Sequence, residues 1–343
     1  MMKKTQHTCL LLAIFGFCLA ACNSSGGGKK KNSKQPTEES YEPVKPEDHW
    51  EGYAEHYMQK EDRNGNFVYD YNLEKTEGEE LQKNIHHYLI DQHRTYLHYN
   101  QITGAFTHTD IPDGQTKYEM FYTGLISKSN TDREHVWCCA DSNNMWRRNN
   151  RITEYNMDDG GGPENYWGGG SDIYQLRACT HSVNETRSNY RYVQYTDSNY
   201  STVGDEGPYL LKYNSSRSTC EPADQYKGDV ARIIMYMYIH YNSYDNYDVY
   251  YSNDYTPTYN PAEAVPQSDT HSPYVCGGLK LSDIMGYSSE DACVSKLKAW
   301  NALDGVSPLE IKRNNIVEGY FQGNRNPFVD YPDLVDRCFP NIL

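Results

Sequence analysis

The sequence predicts an α+β fold, mostly helical and built as a single domain, and three observations carry that prediction. Leu81, Ile85, Tyr88, Leu89, Tyr96 and Leu97 recur at helical spacing, which marks Glu79 to about Tyr99 as one or two amphipathic helices. From Gly228 to Tyr241 the chain is apolar around its whole circumference except at Asp229, Arg232 and His240, as expected of a buried central helix. Two short strand-like runs, Met120-Phe121-Tyr122 and Val136-Trp137, supply the β component. They bracket Arg133-Glu134-His135, which is therefore expected on a connecting loop and, if both acidic and imidazole side chains serve one site, in irregular backbone or at a strand end.

The N-terminus comes first in chain order. Lys3 and Lys4 precede an apolar stretch from about Cys9 to Ala21, too short to span a bilayer but of the length of a signal h-region. It ends in Leu19-Ala20-Ala21-Cys22, which resembles a bacterial lipobox. The expectation is a lipoprotein signal peptide over 1–21 and a mature chain anchored to the cell membrane or outer membrane by lipid (palmitate among it) on Cys22, facing the periplasm or exterior. Residues 22–48 are Gly, Ser, Lys, Pro and Glu with almost no apolar side chains, a disordered tether. Residues 49–343 are then the folded domain, long enough for one substantial core.

Within that domain, His86, His87, His93 and His98 ride on the first helical stretch; none forms an H-x-x-x-H pair, and solvated or capping roles are expected of them. Asp141 to Gly170 is a long insertion rich in Asn, Gly and Asp. It carries Trp146, Arg147, Arg148 and Arg151, which suit either a phosphate clamp with a base-stacking ring or a solvated loop. Asn184 to about Asn189 reads as a short helix with Asn184, Arg187 and Ser188 on one face. A Tyr-rich stretch from Tyr241 to about Tyr274 reads as a loop, with a stacking surface as the other reading. Ser307-Pro308-x-Glu310 is a helix start and Gly323 its stop, followed by a turn-rich clasp from Asn324 to Asp330.

Composition narrows the function. The net charge of −15 excludes a strongly basic nucleic-acid binder. Seven of the fourteen arginines nevertheless lie between Arg133 and Arg191, where lysine is absent, so a modest cationic groove on an acidic body is expected there. The seven cysteines beyond Cys22 (138, 139, 179, 220, 276, 293, 338) belong to an exported chain and are expected to form disulfides, with at least one left over.

The chemistry-bearing constellation is Glu134-His135 with Asn184 about fifty residues on. Mg²⁺ is a hard ion that takes oxygen ligands, so a carboxylate and an amide carbonyl can hold it while phosphate oxygens complete its shell. An imidazole not bound to metal can then take a proton from an attacking water.

At these residues the chain resembles the bacterial secreted endonuclease I family, nucleases of the His-Me finger (ββα-metal) type. The resemblance runs from about Leu81 to Val335. Besides Arg133-Glu134-His135 it rests on Cys220-Glu221-Pro222-Ala223-Asp224 running into Lys227-Gly228-Asp229-Val230-Ala231-Arg232, on Trp300-Asn301-x-x-Asp304, on Glu310-x-x-Arg313-Asn314, and on Gln322-Gly323-Asn324-Arg325-Asn326-Pro327-Phe328-Val329-Asp330. It implies a ββα-metal catalytic core, His135 as general base, Glu134 and Asn184 as ligands of Mg²⁺ (Ca²⁺ or Mn²⁺ being alternatives), and products with 5′-phosphate and 3′-hydroxyl ends. A phosphate-stabilising arginine is expected from Arg187 or from the 147–151 cluster, represented by Arg148. The chain departs from the family pattern at Cys138-Cys139, where a proline is usual, at Asp172-Ile173-Tyr174-Gln175-Leu176-Arg177-Ala178, which lacks both usual histidines, and at Tyr331. The resulting expectation is a monomeric extracytoplasmic endonuclease acting on DNA, with RNA as a second substrate, at low sequence specificity. The alternative is an inactive surface lipoprotein that binds nucleic acid or glycan on the same scaffold.

Overall fold

The computed structural model describes residues 52–62, 65–95, 97, 99–138, 147–148, 151–152, 169–242, 244 and 279–342, all within the unit Glu42–Leu343. The expected signal peptide, the tether, Cys22, and most of the insertion and the Tyr-rich stretch lie outside the described residues.

In chain order the chain forms α1 (Tyr53–His56), the hairpin β1 (Met58–Glu61) and β2 (Phe67–Asp70), α2 (Gly78–Gln92), a 3₁₀ turn at Tyr99–Gln101, and α3 (Ile102–Thr109). The strands β3 (Tyr118–Met120), β4 (Leu125–Ser127) and β5 (Thr131–His135) follow, then a small hairpin of β6 (Arg147–Arg148) and β7 (Arg151–Ile152). After a 3₁₀ turn at Gly169–Ser171 come β8 (Leu176–Thr180), α4 (His181–Arg187), and the strands β9 (Arg191–Tyr192), β10 (Ser201–Val203), β11 (Leu211–Asn214) and β12 (Thr219–Glu221). The remainder is helical: α5 (Lys227–Tyr241), α6 (Leu281–Ile284), α7 (Glu290–Leu303), α8 (Pro308–Ile316), α9 (Pro327–Asp330) and α10 (Leu334–Cys338). This is the α+β, mostly helical architecture that the sequence predicts.

The centre is α5, of whose fifteen residues every one but Tyr238 is buried. It packs on α7 and α2, and its polar members are paired rather than free. Arg232 donates to both Glu310 oxygens at 2.8 Å, and Asp229 receives Arg177 at 3.1 Å. Removing one partner of such a buried pair leaves an uncompensated charge at a cost of about 3–5 kcal/mol. Gly228 is required by close approach, because a Cβ there would lie 2.0 Å from the Asp304 carbonyl. Ser307 and Glu310 form the expected capping box at the start of α8, and Gly323 adopts φ +86° beyond the π turn that ends it. The clasp is structural: Arg325 pairs with Asp330 at 2.6 Å, and Asn324 donates to Tyr236.

Two expectations are corrected and one is decided between its alternatives. The first helical stretch stops at Gln92, since the Arg94 amide bonds to the Gln322 carbonyl at 2.7 Å instead of extending the helix. Of the placements expected for Arg133, Glu134 and His135 the strand end holds and the loop does not: they form the end of β5, which pairs antiparallel with β8 in the register Glu134↔Arg177 and His135↔Leu176. Val136 and Trp137 follow the strand as its buried continuation. The five described cysteines are thiols: Cys179, Cys220, Cys293 and Cys338 are buried among apolar neighbours and Cys138 is half-buried, while Cys139 and Cys276 lie outside the described residues. Buried in this way, a cysteine packs as a small hydrophobe and needs no bridge. Among the described residues no helix is long and apolar enough to cross a membrane.

Candidate active site

The antiparallel pair β5–β8 leads directly into α4, giving a β-strand, a second strand and a helix folded on them. Alternation along β5 sends Asp132 and Glu134 to one face and Arg133 and His135 to the other. The contacts follow that division.

On the first face Glu134 is 2% exposed and meets two partners, both at Oε1. Tyr122 donates its hydroxyl at 2.7 Å, and Arg187 Nε lies at 3.1 Å. Tyr122 reaches this position from the turn after β3, where its backbone takes φ +69°, uncommon for a bulky residue. Burial pushes the Glu134 carboxyl up to about 7, against the lowering by Arg187 and by the Tyr122 hydroxyl. One turn earlier on α4, Asn184 donates its amide to Asp132 at 3.1 Å. Asp132 also takes His181 Nδ1 at 2.7 Å, which raises the pKa of that exposed imidazole.

On the other face the His135 ring lies parallel to Tyr99, with centroids 5.4 Å apart and planes at 15°. Arg133 packs over the same tyrosine at 3.9 Å and donates to its carbonyl at 3.1 Å. His135 Nε2 is 2.8 Å from the Gly170 carbonyl. A carbonyl only accepts, so this bond places the ring proton on Nε2 and the lone pair on Nδ1. Burial lowers the pKa of the imidazole to about 4, with Arg133 and Arg187 acting in the same direction. The ring is neutral at neutral pH and able to accept a proton.

The structure therefore brings Glu134 and His135 to one strand end and Asn184 and Arg187 onto the helix that covers it. The predicted helix begins three residues earlier than the sequence reading placed it, which puts Asn184 at its centre, and Ser188 lies beyond it at φ +48°. Arg187 does not face outward toward a phosphate. Its guanidinium is wholly buried, donates to the carbonyls of Val136 (2.9 Å) and Ser188 (2.7 Å), and lies over Tyr192. Arg148 is on β6, where the backbone alone is described.

Glu134 and Asn184 fit a hard divalent cation in their chemistry, both being oxygen donors. Both described partners of Glu134 use Oε1, and the described bond of Asn184 uses its NH₂ group. Glu134 Oε2 and the Asn184 carbonyl are thus the atoms that would take a cation.

The sequence profile of the family described as Endonuclease I matches residues 77–260 and 281–333. This chain belongs to the endonuclease I family. Two relatives are the extracellular ribonuclease of Bacillus amyloliquefaciens, 28% identical over 266 residues (75% of this chain and 73% of that protein), and the extracellular ribonuclease of Bacillus subtilis strain 168, 28% identical over 274 residues (77% and 75%). As an endonuclease I, the chain is a hydrolase of nucleic acid, and β5–β8–α4 corresponds to the ββα core expected of it.

Four supports of this endonuclease I site escaped the sequence reading: Tyr122, Tyr99, Asp132 and the Gly170 carbonyl. Asp132 was findable, because it stands two residues before Glu134 and shares its strand face. Tyr99 and Gly170 come from 36 and 35 positions away from His135, and no local pattern announces them.

Proposed function

We propose that this protein is an extracytoplasmic, metal-dependent endonuclease that cleaves DNA and RNA with little sequence preference and leaves 5′-phosphate and 3′-hydroxyl ends. The observation that carries the reading is the pairing of Glu134 and His135 at the end of β5 with Asn184 on the helix that follows β8. That relatives bear the name extracellular ribonuclease supports RNA as a substrate beside DNA.

His135 Nδ1 takes a proton from water as the water attacks phosphorus. The Nε2 proton stays with the Gly170 carbonyl, so the imidazolium formed keeps its hydrogen bond, and Tyr99 holds the ring plane. Glu134 and Asn184 would hold Mg²⁺, or Ca²⁺ or Mn²⁺ in its place, and the bound ion would supply positive charge to the phosphate and to the departing 3′ oxygen. Arg187 acts as a positioning residue that keeps the Glu134 carboxyl in place, and Tyr122 assists it. With Arg187 spent inside the protein, contact with the phosphate falls to Arg148 and its neighbours on the β6–β7 hairpin. Contacts to the backbone carry no base information, which accounts for low specificity.

The chain acts as a monomer outside the cytoplasm, tethered by residues 22–48 to a lipid on Cys22 after removal of residues 1–21. Labelled palmitate incorporation that a Cys22→Ser change abolishes tests the anchor.

The activity is tested by incubating supercoiled plasmid and a structured RNA with the protein, with Mg²⁺ or with EDTA. Nicking of plasmid and loss of RNA in Mg²⁺ alone are expected, and the fragments should accept label at their 5′ ends only after phosphatase treatment. Retention of both substrates uncut under Mg²⁺, Ca²⁺ and Mn²⁺ would overturn the reading in favour of a binding lipoprotein.

A further inference from the structure

Three side chains that the nuclease chemistry does not use converge in the interior. His93 follows the end of α2, His240 lies in the last turn of α5, and Asp172 follows the 3₁₀ turn that contains Gly170. All three are buried, and one ligand atom from each lies within 4.8 Å of the other two. His93 Nδ1 and His240 Nε2 are 2.8 Å apart, and His93 Nδ1 is 4.0 Å from Asp172 Oδ2.

We propose that His93, Asp172 and His240 bind a first-row transition-metal dication, best matched by Zn²⁺, at a structural site separate from Glu134 and Asn184. Two imidazoles and one carboxylate are a donor set for a borderline-soft ion and a poor one for Mg²⁺, which prefers oxygens and retained waters. The carboxylate is already oriented. Tyr236 and Tyr241 donate to its Oδ2 at 2.8 and 2.6 Å, and the Tyr174 amide and Gln322 donate to Oδ1 at 2.8 and 3.2 Å. Such outer hydrogen bonds fix ligand geometry in metal sites.

Binding needs one proton relocated and a small movement. In the metal-free pair a single proton lies between His93 Nδ1 and His240 Nε2. On binding, it leaves that position and the ring that held it is protonated on its outer nitrogen, so both rings remain neutral and each gives one lone pair to the ion. Zinc–nitrogen bonds of about 2.0–2.1 Å set tetrahedral nitrogens about 3.3 Å apart, so the rings part by about 0.5 Å. The ion would join the ends of α2 and α5 to the segment holding Gly170, whose carbonyl orients His135. Its presence does not depend on the nuclease reading.

The test uses the full chain, stripped with a chelator, reloaded with Zn²⁺ alone, desalted and assayed for metal by mass spectrometry. About one zinc per chain and a raised Tm are expected. His240→Gln should lose both, Glu134→Gln should keep both, and Tyr241→Phe should weaken binding about 10- to 100-fold. X-ray absorption of the zinc-loaded unmodified protein should show two imidazoles, a measurement that stands even if His240→Gln does not fold. No retained zinc, zinc kept equally by His240→Gln, zinc lost only from Glu134→Gln, or a spectrum without two imidazoles would each overturn the site.

Discussion

Arg187 Nε lies 3.1 Å from Glu134 Oε1, and neither side chain is appreciably exposed. An isolated carboxyl in that position would be neutral, because burial disfavours its charge. The guanidinium opposes this, and in doing so ties the helix α4 to the strand that ends in His135. Arg187→Ala should therefore destabilise the protein by about 3–5 kcal/mol, since it leaves a buried carboxyl without its counter-charge. Urea unfolding measures the cost. A loss below about 1 kcal/mol, the range of surface pairs, would mean that the ion pair contributes little.

Tyr122→Phe removes the second partner of Glu134 Oε1 while keeping the ring. A hydrogen bond to a charged group contributes about 1.5–3 kcal/mol, and its loss raises the carboxyl pKa further. The variant should need several-fold more Mg²⁺ for half-maximal cleavage, with kcat at saturating metal changed little. An unchanged Mg²⁺ curve beside a collapsed kcat would place Tyr122 in the chemistry instead.

The helices were the most legible part of the sequence, and the reason is physical. α5 and α8 are specified locally, the first by an unbroken apolar circumference and the second by Ser307, Pro308 and Glu310, which cap it within four residues. The end of α2 was misplaced because Gln322, 228 positions beyond Arg94, takes the amide that would have extended it. β5 is only half legible, because Arg133-Glu134-His135 is polar throughout and shows no alternation of apolar residues, so that a loop reads as well as a strand end; the structure uses strand alternation to send Glu134 and His135 to separate faces. His93 and His240 each looked unremarkable alone; only the packing of α2 on α5 makes them neighbours.

Asn184→Ala deletes the amide carbonyl of the proposed metal site and, on that proposal, should raise the Mg²⁺ concentration needed for cleavage by an order of magnitude or more, since each ligand counts in a site with few protein donors. Asp132→Asn, which alters the anchor of the Asn184 amide together with the His181 contact, should produce a smaller shift in the same direction. Superimposable metal titrations for Asn184→Ala and the parent would move the metal site elsewhere.

Three arginines on β6 and β7, Arg147, Arg148 and Arg151, are the cations proposed to contact phosphate. Changing all three to Gln should reduce the slope of log affinity against log salt by about 0.9 per lost contact on duplex DNA. Binding to all sequences should weaken alike. A slope that the triple change leaves intact, measured by fluorescence anisotropy on a non-cleavable duplex, would remove the hairpin from the interface.

The pH dependence follows from the two titrating groups at the end of β5. His135 acts as a base only when neutral, and its pKa, lowered by burial to about 4, keeps it neutral as pH falls through the ordinary imidazole range. Glu134 must be ionised to hold a cation, and burial has pushed it up to about 7. At low Mg²⁺ the acid limb of kcat/KM should therefore lie near pH 7, set by proton competition for Glu134. Saturating Mg²⁺ favours the ionised carboxyl and should move the limb downward, until protonation of His135 near pH 4 sets it. His135→Ala should lower kcat by about 10²- to 10⁴-fold with substrate affinity nearly unchanged. A limb fixed near pH 6.5 at every Mg²⁺ concentration, and absent from the residual activity of His135→Ala, would show instead an imidazole with an ordinary pKa and a Glu134 that does not compete with protons for metal.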